Sequence, residues 1–183
     1  MNISWIDSDV DLRSLLQDMV GCERYALDTE FHRERTYFPQ LALIQIMHNN
    51  KIFLIDPVSV NLVLFAELFA SSSLCVLHAA QQDLEVLNHA CGSAPQRIFD
   101  TQIAAGFIGM STPSLSSLVL SELKISISKG DRLTDWLRRP LTGDQKTYAA
   151  TDVEHLFDIQ DNLEKRLNEL ERLSWVHEAC EEL

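Results

Sequence analysis

At 183 residues and 46% hydrophobic content, the chain has apolar material for one ordinary domain with its own core. No run approaches the ~18 consecutive apolar residues of a membrane span, and the first residues carry neither the basic nor the apolar region of a secretory signal. The net charge of -12 argues against a general nucleic-acid binder, whose footprint is usually basic. It leaves room for an enzyme that grips a few phosphates through metal ions and a local cluster of Arg and Lys. Cys22, Cys75, Cys91 and Cys180 are scattered, with no C-x-x-C pair. Free thiols in a reducing cytoplasm are the expectation, and not a zinc site.

In chain order, Asp7 to Val20 has the spacing of an amphipathic helix. Val10, Leu12, Leu15, Leu16 and Met19 form its stripe, Asp7, Ser8 or Asp9 its N-cap, and Gly21 its end. Arg24 to Phe31 reads as a buried strand, followed by a loop over His32 to Gln40 rich in charge and aromatics. Leu41 to Met47 is a second strand, His48 to Lys51 a hairpin turn, and Ile52 to Ile55 a third strand. Leu62 to Ala70 reads as helix, Leu74 to Leu77 as a short buried strand, Ala80 to Cys91 as helix and Ile98 to Asp100 as a last strand. Beyond Thr101 the pattern is helix and loop, with Thr142-Gly143-Asp144 starting a helix that runs to about Ile159 and on towards Leu173. No repeat or interdomain linker interrupts the sequence. Strands gather in the first half and helices in the second, which makes the class α/β with a mixed sheet.

Three acidic sites break these patterns. On the first strand, period two puts Ala26, Asp28 and Glu30 on one face and Tyr25, Leu27, Thr29 and Phe31 on the other. Two carboxylates about 7 Å apart repel by roughly 2 kcal/mol at an effective dielectric of ~20, before any desolvation. A fold keeps such a strand when something cationic sits between the charges. On the second helix, Asp83 flanks the stripe of Ala80, Leu84, Leu87 and Cys91. Read alone, it is a surface residue or a first-turn charge favoured by the helix dipole. On the last helix, Tyr148, Asp152, Leu156 and Ile159 share a face. There Asp152 interrupts an apolar stripe one turn from a phenol, an arrangement also open to a plain Tyr–Asp hydrogen bond. Together the sites supply four carboxylates, which two divalent cations ~3.5–4 Å apart would neutralise, as in metal-assisted phosphodiester cleavage. Oxygen ligands favour Mg²⁺ or Mn²⁺.

The order Leu-Asp-Thr-Glu-Phe, Leu-His-Ala-Ala-Gln-Gln-Asp-Leu-Glu and Tyr-Ala-Ala-Thr-Asp-Val resembles the three exonuclease motifs of the DEDD superfamily, in its ribonuclease D branch. The likeness extends to Arg35-Thr36-Tyr37-Phe38-Pro39-Gln40-Leu41, Ile55-Asp56-Pro57, Asp100-Thr101-Gln102 and Thr134-Asp135-Trp136-Leu137-Arg138-Arg139-Pro140-Leu141. It covers nearly the whole chain. The resemblance implies a ribonuclease H-like mixed sheet flanked by helices and stepwise 3′-to-5′ hydrolysis to nucleoside 5′-monophosphates. Tyr148, four residues before Asp152, makes this the tyrosine subtype. A phenol of pKa ~10 is a poor base at neutral pH, so Tyr148 is expected to position the attacking water.

By the same resemblance, Asp28 bridges two ions, Glu30 and Asp152 complete the nucleophile-side site, and Asp83 serves the second ion through water. The branch usually continues into helical accessory domains, so residues 1–183 are expected to be a single exonuclease domain without them. Expected substrate contacts are Thr29 at the terminal ribose and Phe31, Tyr37 and Phe38 as stacking surfaces. Lys129, Arg132, Arg138, Arg139 and Lys146 concentrate positive charge before the last motif, and Lys129, Trp136 and Arg138 are drawn towards the substrate. The expected partner is an RNA 3′ end, either a single-stranded tail such as that of a tRNA precursor or a short oligoribonucleotide, in the cytoplasm. A DNA exonuclease and a non-catalytic RNA-binding domain are the alternatives, since sequence does not report the contact to the 2′-hydroxyl.

Overall fold

The computed structural model describes residues 2–33, 37–127 and 135–183; Arg35, Thr36, Lys129, Arg132 and Thr134 lie outside them. Among the described residues six strands form one mixed sheet. Its order is β1 (Ile3–Ile6), β4 (Lys51–Ile55), β3 (Gln40–His48), β2 (Arg24–His32), β5 (Leu74–Leu77) and β6 (Ile98–Asp100). β3 runs antiparallel to both β2 and β4, and the other pairings are parallel. β1 was not among the expected strands. Ile-Ser-Trp-Ile is too short to show a period, and its backbone simply extends the edge of β4. Asn49 and Asn50 close the β3–β4 hairpin at φ of 48° and 58°, a region that Asn tolerates better than most side chains.

Alternation along β2 divides the core as its period requires. Tyr25 and Leu27 pack with Ile44 and Ile46 on one face. That face lies beneath α1 (Asp9–Met19), a 3₁₀ turn (Leu62–Phe65) leading into α2 (Ala66–Phe69), and α3 (Gln81–Cys91). Ala26, Leu43 and Leu54 line the opposite face. It is covered from α4 (Thr101–Phe107), α5 (Leu115–Leu123), α6 (Gly143–Glu154), α7 (Leu156–Glu169) and α8 (Leu173–Glu181). Three expectations are corrected. Val10 is 77% exposed, and Leu12, Leu15, Leu16 and Met19 carry the contact of α1. The helix expected over Leu62 to Ala70 is a 3₁₀ turn and a single α-turn. The long final helix breaks at His155, whose φ of -107° and ψ of 2° interrupt the helical path.

One polar cluster braces the sheet beside its centre. The β2–β3 register shifts between Glu30 and Phe31, which pair with Leu43 and Leu41 and leave Ala42 as an extra residue. Ala42 and Leu43 consequently face the same side of the sheet. Arg139 donates to the freed Ala42 carbonyl at 2.7 Å, to Asp56 through Nε and Nη2 at 2.9 and 2.8 Å, and to the Trp136 carbonyl at 2.7 Å. A planar fork suits such bidentate pairing, where lysine offers only a point charge. Burial raises the Asp56 carboxyl, but hydrogen bonds from Arg139, the Val58 N–H and Ser59 outweigh it and leave its pKa below the ordinary value. The cluster ties the bulge and the end of β4 to the segment entering α6. That segment starts with a capping box, in which Thr142 accepts from the Gln145 N–H at 3.1 Å and Gln145 from the Thr142 N–H at 2.8 Å.

Arg139→Met strands Asp56, of which only 6% is exposed, without its cation. The expected loss in denaturant unfolding is roughly 3 kcal/mol, the low end for a broken buried pair, because Arg139 keeps 24% of its side chain in solvent. Arg139→Lys is expected to recover less than half, and an unchanged midpoint in either variant contradicts the bracing role.

Candidate active site

β5 pairs with β2 only as far as Ala26, so the next residues of β2 run on past the last β5 pairing. A cleft of about 900 Å³ opens there. Asp28, Thr29, Glu30 and Phe31 form its floor, the β5–α3 turn and Asp83 one wall, and Tyr148 and Asp152 from α6 the other. Both faces of the sheet contribute. Asp28 and Glu30 project towards α6, whereas Thr29 projects towards α3 and donates its hydroxyl to Asp83 at 2.5 Å. Ligand oxygens of Asp28, Glu30 and Asp152 all lie within 4.8 Å of one another. Octahedral magnesium at 2.0–2.1 Å sets ligand separations of about 3–4 Å, so a small rotation of one carboxylate suits these three acids to one ion.

The electrostatics match the crowding. Asp28 shows some surface in the cleft yet is enclosed on nearly every other side. Desolvation first, then Asp83, Asp152 and Glu30, push its pKa well above the carboxylate range. Asp83 is buried, and desolvation pushes it up to about 6 against the opposing hydrogen bond from Thr29. The wall that carries it is held by Asp100. This buried carboxylate accepts from the N–H groups of Ala79 and Ala80 at 3.0 and 2.8 Å and caps α4 through Gln102 at 2.7 Å. Ala79 adopts a φ of 58° to reach it, a conformation costly for a residue with a Cβ. Burial lowers the His78 pKa below its ordinary value. Its ring sits between Thr101 at 2.9 Å and the Pro113 carbonyl at 3.1 Å, as a structural residue.

The remaining expected site residues separate. Thr29 and Phe31 line the cleft, but the Thr29 hydroxyl is committed to Asp83. The expectation of a substrate-facing Trp136 is revised. Its ring is buried and stacks on Tyr148 with centroids 6.0 Å apart, so it supports the phenol rather than lining the cleft. Arg138 is exposed in a separate hollow with Asp135, Pro140 and Gln145. The described members of the basic cluster are dispersed, since Arg139 serves Asp56 and Lys146 lies 4.6 Å over the Trp5 ring. Tyr37 is exposed and Phe38 stacks on His89 at 4.3 Å; both flank a hollow with Pro57 and Leu62 rather than the cleft. The sequence marks Asp100 and Asp56 for the site only within blocks of resemblance, and Arg139 also as a member of the basic cluster, none of them as a brace. Their long-range partners lie 20 to 97 residues away, beyond any local pattern.

A family model described as 3′-5′ exonuclease matches residues 3–168. The chain belongs to this 3′-5′ exonuclease family. It is 43% identical over 182 residues to the ribonuclease D of Xanthomonas oryzae pv. oryzae, covering 98% of this chain and 50% of that one. The crystal structure of Escherichia coli RNase D, described as an exoribonuclease involved in structured RNA processing, superposes with a TM-score of 0.93 at 37% identity, covering 98% of this chain and 49% of that one. Brucella melitensis NrnC with bound Mg²⁺ gives 0.82 at 26% identity, covering 100% and 89%, and has also been solved bound to pGG. The chain spans about half the length of the curated relatives it matches. The ribonuclease H-like sheet expected from sequence is the fold found.

The raised carboxyls predict a pH dependence. Asp28 and Asp83 hold protons in the fold at pH values where an unfolded chain, with carboxyls near ~3.9, has lost them. Cation-free protein is therefore expected to lose melting temperature as pH rises from about 4 through the Asp83 value of about 6. Asp56, shifted the opposite way, weakens the fold only below that window. Asp83→Asn should flatten the fall, and a melting temperature that rises across the window contradicts the assignment.

Proposed function

We propose that the chain is the catalytic part of a divalent-metal-dependent 3′-5′ exoribonuclease. It removes nucleotides one at a time from RNA 3′ ends and releases nucleoside 5′-monophosphates. Its substrates are single-stranded tails of structured RNA, such as tRNA precursors, or short oligoribonucleotides. The observation that carries this reading is the convergence of Asp28, Glu30 and Asp152 on one point of the cleft, with Tyr148 one turn away on the same helix as Asp152. Ribonuclease D relatives, the exoribonuclease description of the E. coli structure and the pGG bound to NrnC support the substrate class. The free thiols, three of them buried, suit a reducing cytoplasm.

Carboxylate oxygens with no nitrogen or sulfur among them fit Mg²⁺ or Mn²⁺, and NrnC supports the former. Bound there, two such cations would supply an acidified water and positive charge at the departing oxygen. Asp28, close to Asp83, Asp152 and Glu30 alike, would hold both. Glu30 and Asp152 complete the site on the α6 side. Asp83, held by Thr29, faces the second position from the opposite wall. Tyr148 orients the attacking water through its phenol, and the Trp136 ring behind it fixes the direction. Phe31, with the Arg33 guanidinium 5.4 Å over its ring, offers a stacking surface at the mouth. Hydrolysis then depends on positioning and charge stabilisation, with no covalent intermediate.

The test is 5′-labelled RNA and matching DNA incubated with Mg²⁺, with Mn²⁺ and with chelator. The expected result is a ladder shortening from the 3′ end on RNA, erased by chelator and blocked by a 3′-phosphate. Equal shortening of DNA would replace the RNA assignment, and no ladder under any metal would remove the enzymatic one. Asp28→Asn and Asp152→Asn should each abolish turnover. Tyr148→Phe should slow it by up to about a hundredfold, the scale of a misplaced reactant, while leaving Mn²⁺ binding nearly intact.

A further inference from the structure

Gln45 sits directly opposite Asp28 in the β2–β3 register. Paired residues of antiparallel strands project to the same face, with Cβ atoms about 4.5–5.5 Å apart. Along its own strand that face continues with Leu43 and Met47, and its partner on β4 is Leu54. Gln45 is fully buried, and neither its Nε2 nor its Oε1 has a hydrogen-bond partner among the described residues. An apolar side chain of the same shape would fill this slot without the desolvation cost of an unpaired amide. Packing alone gives no reason for glutamine here.

Among the sheet neighbours fixed by register, only Asp28 and, on the diagonal, Glu30 carry polar side chains. We infer that Gln45 is a positioning residue, whose side-chain amide donates to the Asp28 carboxylate and fixes its direction when Asp28 binds a divalent cation. The inference rests on the nuclease reading above. An ionised carboxylate only accepts hydrogen bonds, and its terminal torsion is soft. Metal-binding carboxylates are therefore commonly held by a neighbouring donor. A lysine or arginine in this position would compete with the cation for the same charge. A neutral amide orients the carboxylate and leaves its charge for the ion.

The test compares wild type with Gln45→Met, an apolar side chain of similar length. Without cation the variant is expected to melt about 2–4 °C higher, because a buried unpaired amide is gone. It should bind Mn²⁺ about 10–100-fold more weakly by calorimetry, the scale for removing a group that orients a ligand. Mn²⁺ affinity within about twofold of wild type overturns the inference, being what a packing role predicts. A lower cation-free melting temperature overturns it as well, because the amide would then be bonded without the ion. Should the variant not fold, the wild type decides by NMR. The Gln45 side-chain amide protons should shift on adding Mg²⁺ while those of the exposed Gln17 stay in place, and an unmoved Gln45 signal overturns the inference. Wild type that neither binds Mn²⁺ nor shortens RNA removes the nuclease reading itself. Wild type that does both beside an unaltered Gln45→Met removes only the role of Gln45.

Discussion

Like charge held at close quarters is the constraint to which the structure answers. Asp28, Glu30 and Asp152 bring oxygens within 4.8 Å of one another, where each ionised pair costs roughly 3 kcal/mol even at an effective dielectric of ~20. No single element could impose this. A strand supplies two acids by alternation, a helix packed on the same sheet face supplies the third, and a helix on the other face brings Asp83 round the uncovered edge of β2. The cost is distributed over the whole α/β/α arrangement, and a bound cation turns it into affinity.

Around that centre the fold is braced by polar groups whose hydrogen-bonding capacity is nearly filled. Arg139 saturates itself on Asp56, the bulge carbonyl of Ala42 and the Trp136 carbonyl. It thereby locks the sheet to the segment that leads into α6. Asp100 does the same for the opposite wall, gathering N–H groups from the β5–α3 turn and from the start of α4. Trp136 backs Tyr148. None of these residues needs to meet substrate, because their work is to hold the directions of those that do. Gln45 differs from Arg139 and Asp100 in being buried and unpaired, as is the Trp136 Nε1, and it is its place directly opposite Asp28 that ties it to the site.

What could be read from the sequence follows the range of each signal. Period-two alternation was enough to place Asp28 and Glu30 together and Thr29 on the other face. Helical spacing was enough to set Tyr148 one turn from Asp152, and the Thr142 region was legible as a helix start. Asp83 looked like the edge of a stripe, and only the packing of α3 against β2 shows it buried against Thr29. Trp136 was drawn towards the substrate by the family resemblance of its block, beside a cluster of basic residues. In the fold, Arg139 and Lys146 are spent on Asp56 and Trp5, and the ring turns inward. Strand β1 and the Ala42 bulge depend on partners across the sheet and leave no local trace. The long-range hydrogen bonds of Arg139 and Asp100 are invisible for the same reason.

The most direct test of the central claim is anomalous diffraction from a crystal of this chain soaked in manganese. The account predicts a peak coordinated by Asp28, Glu30 and Asp152, with a second beside Asp28 on the Asp83 side when an RNA end is present. Density showing those carboxylates turned apart, with no ion among them, would contradict it.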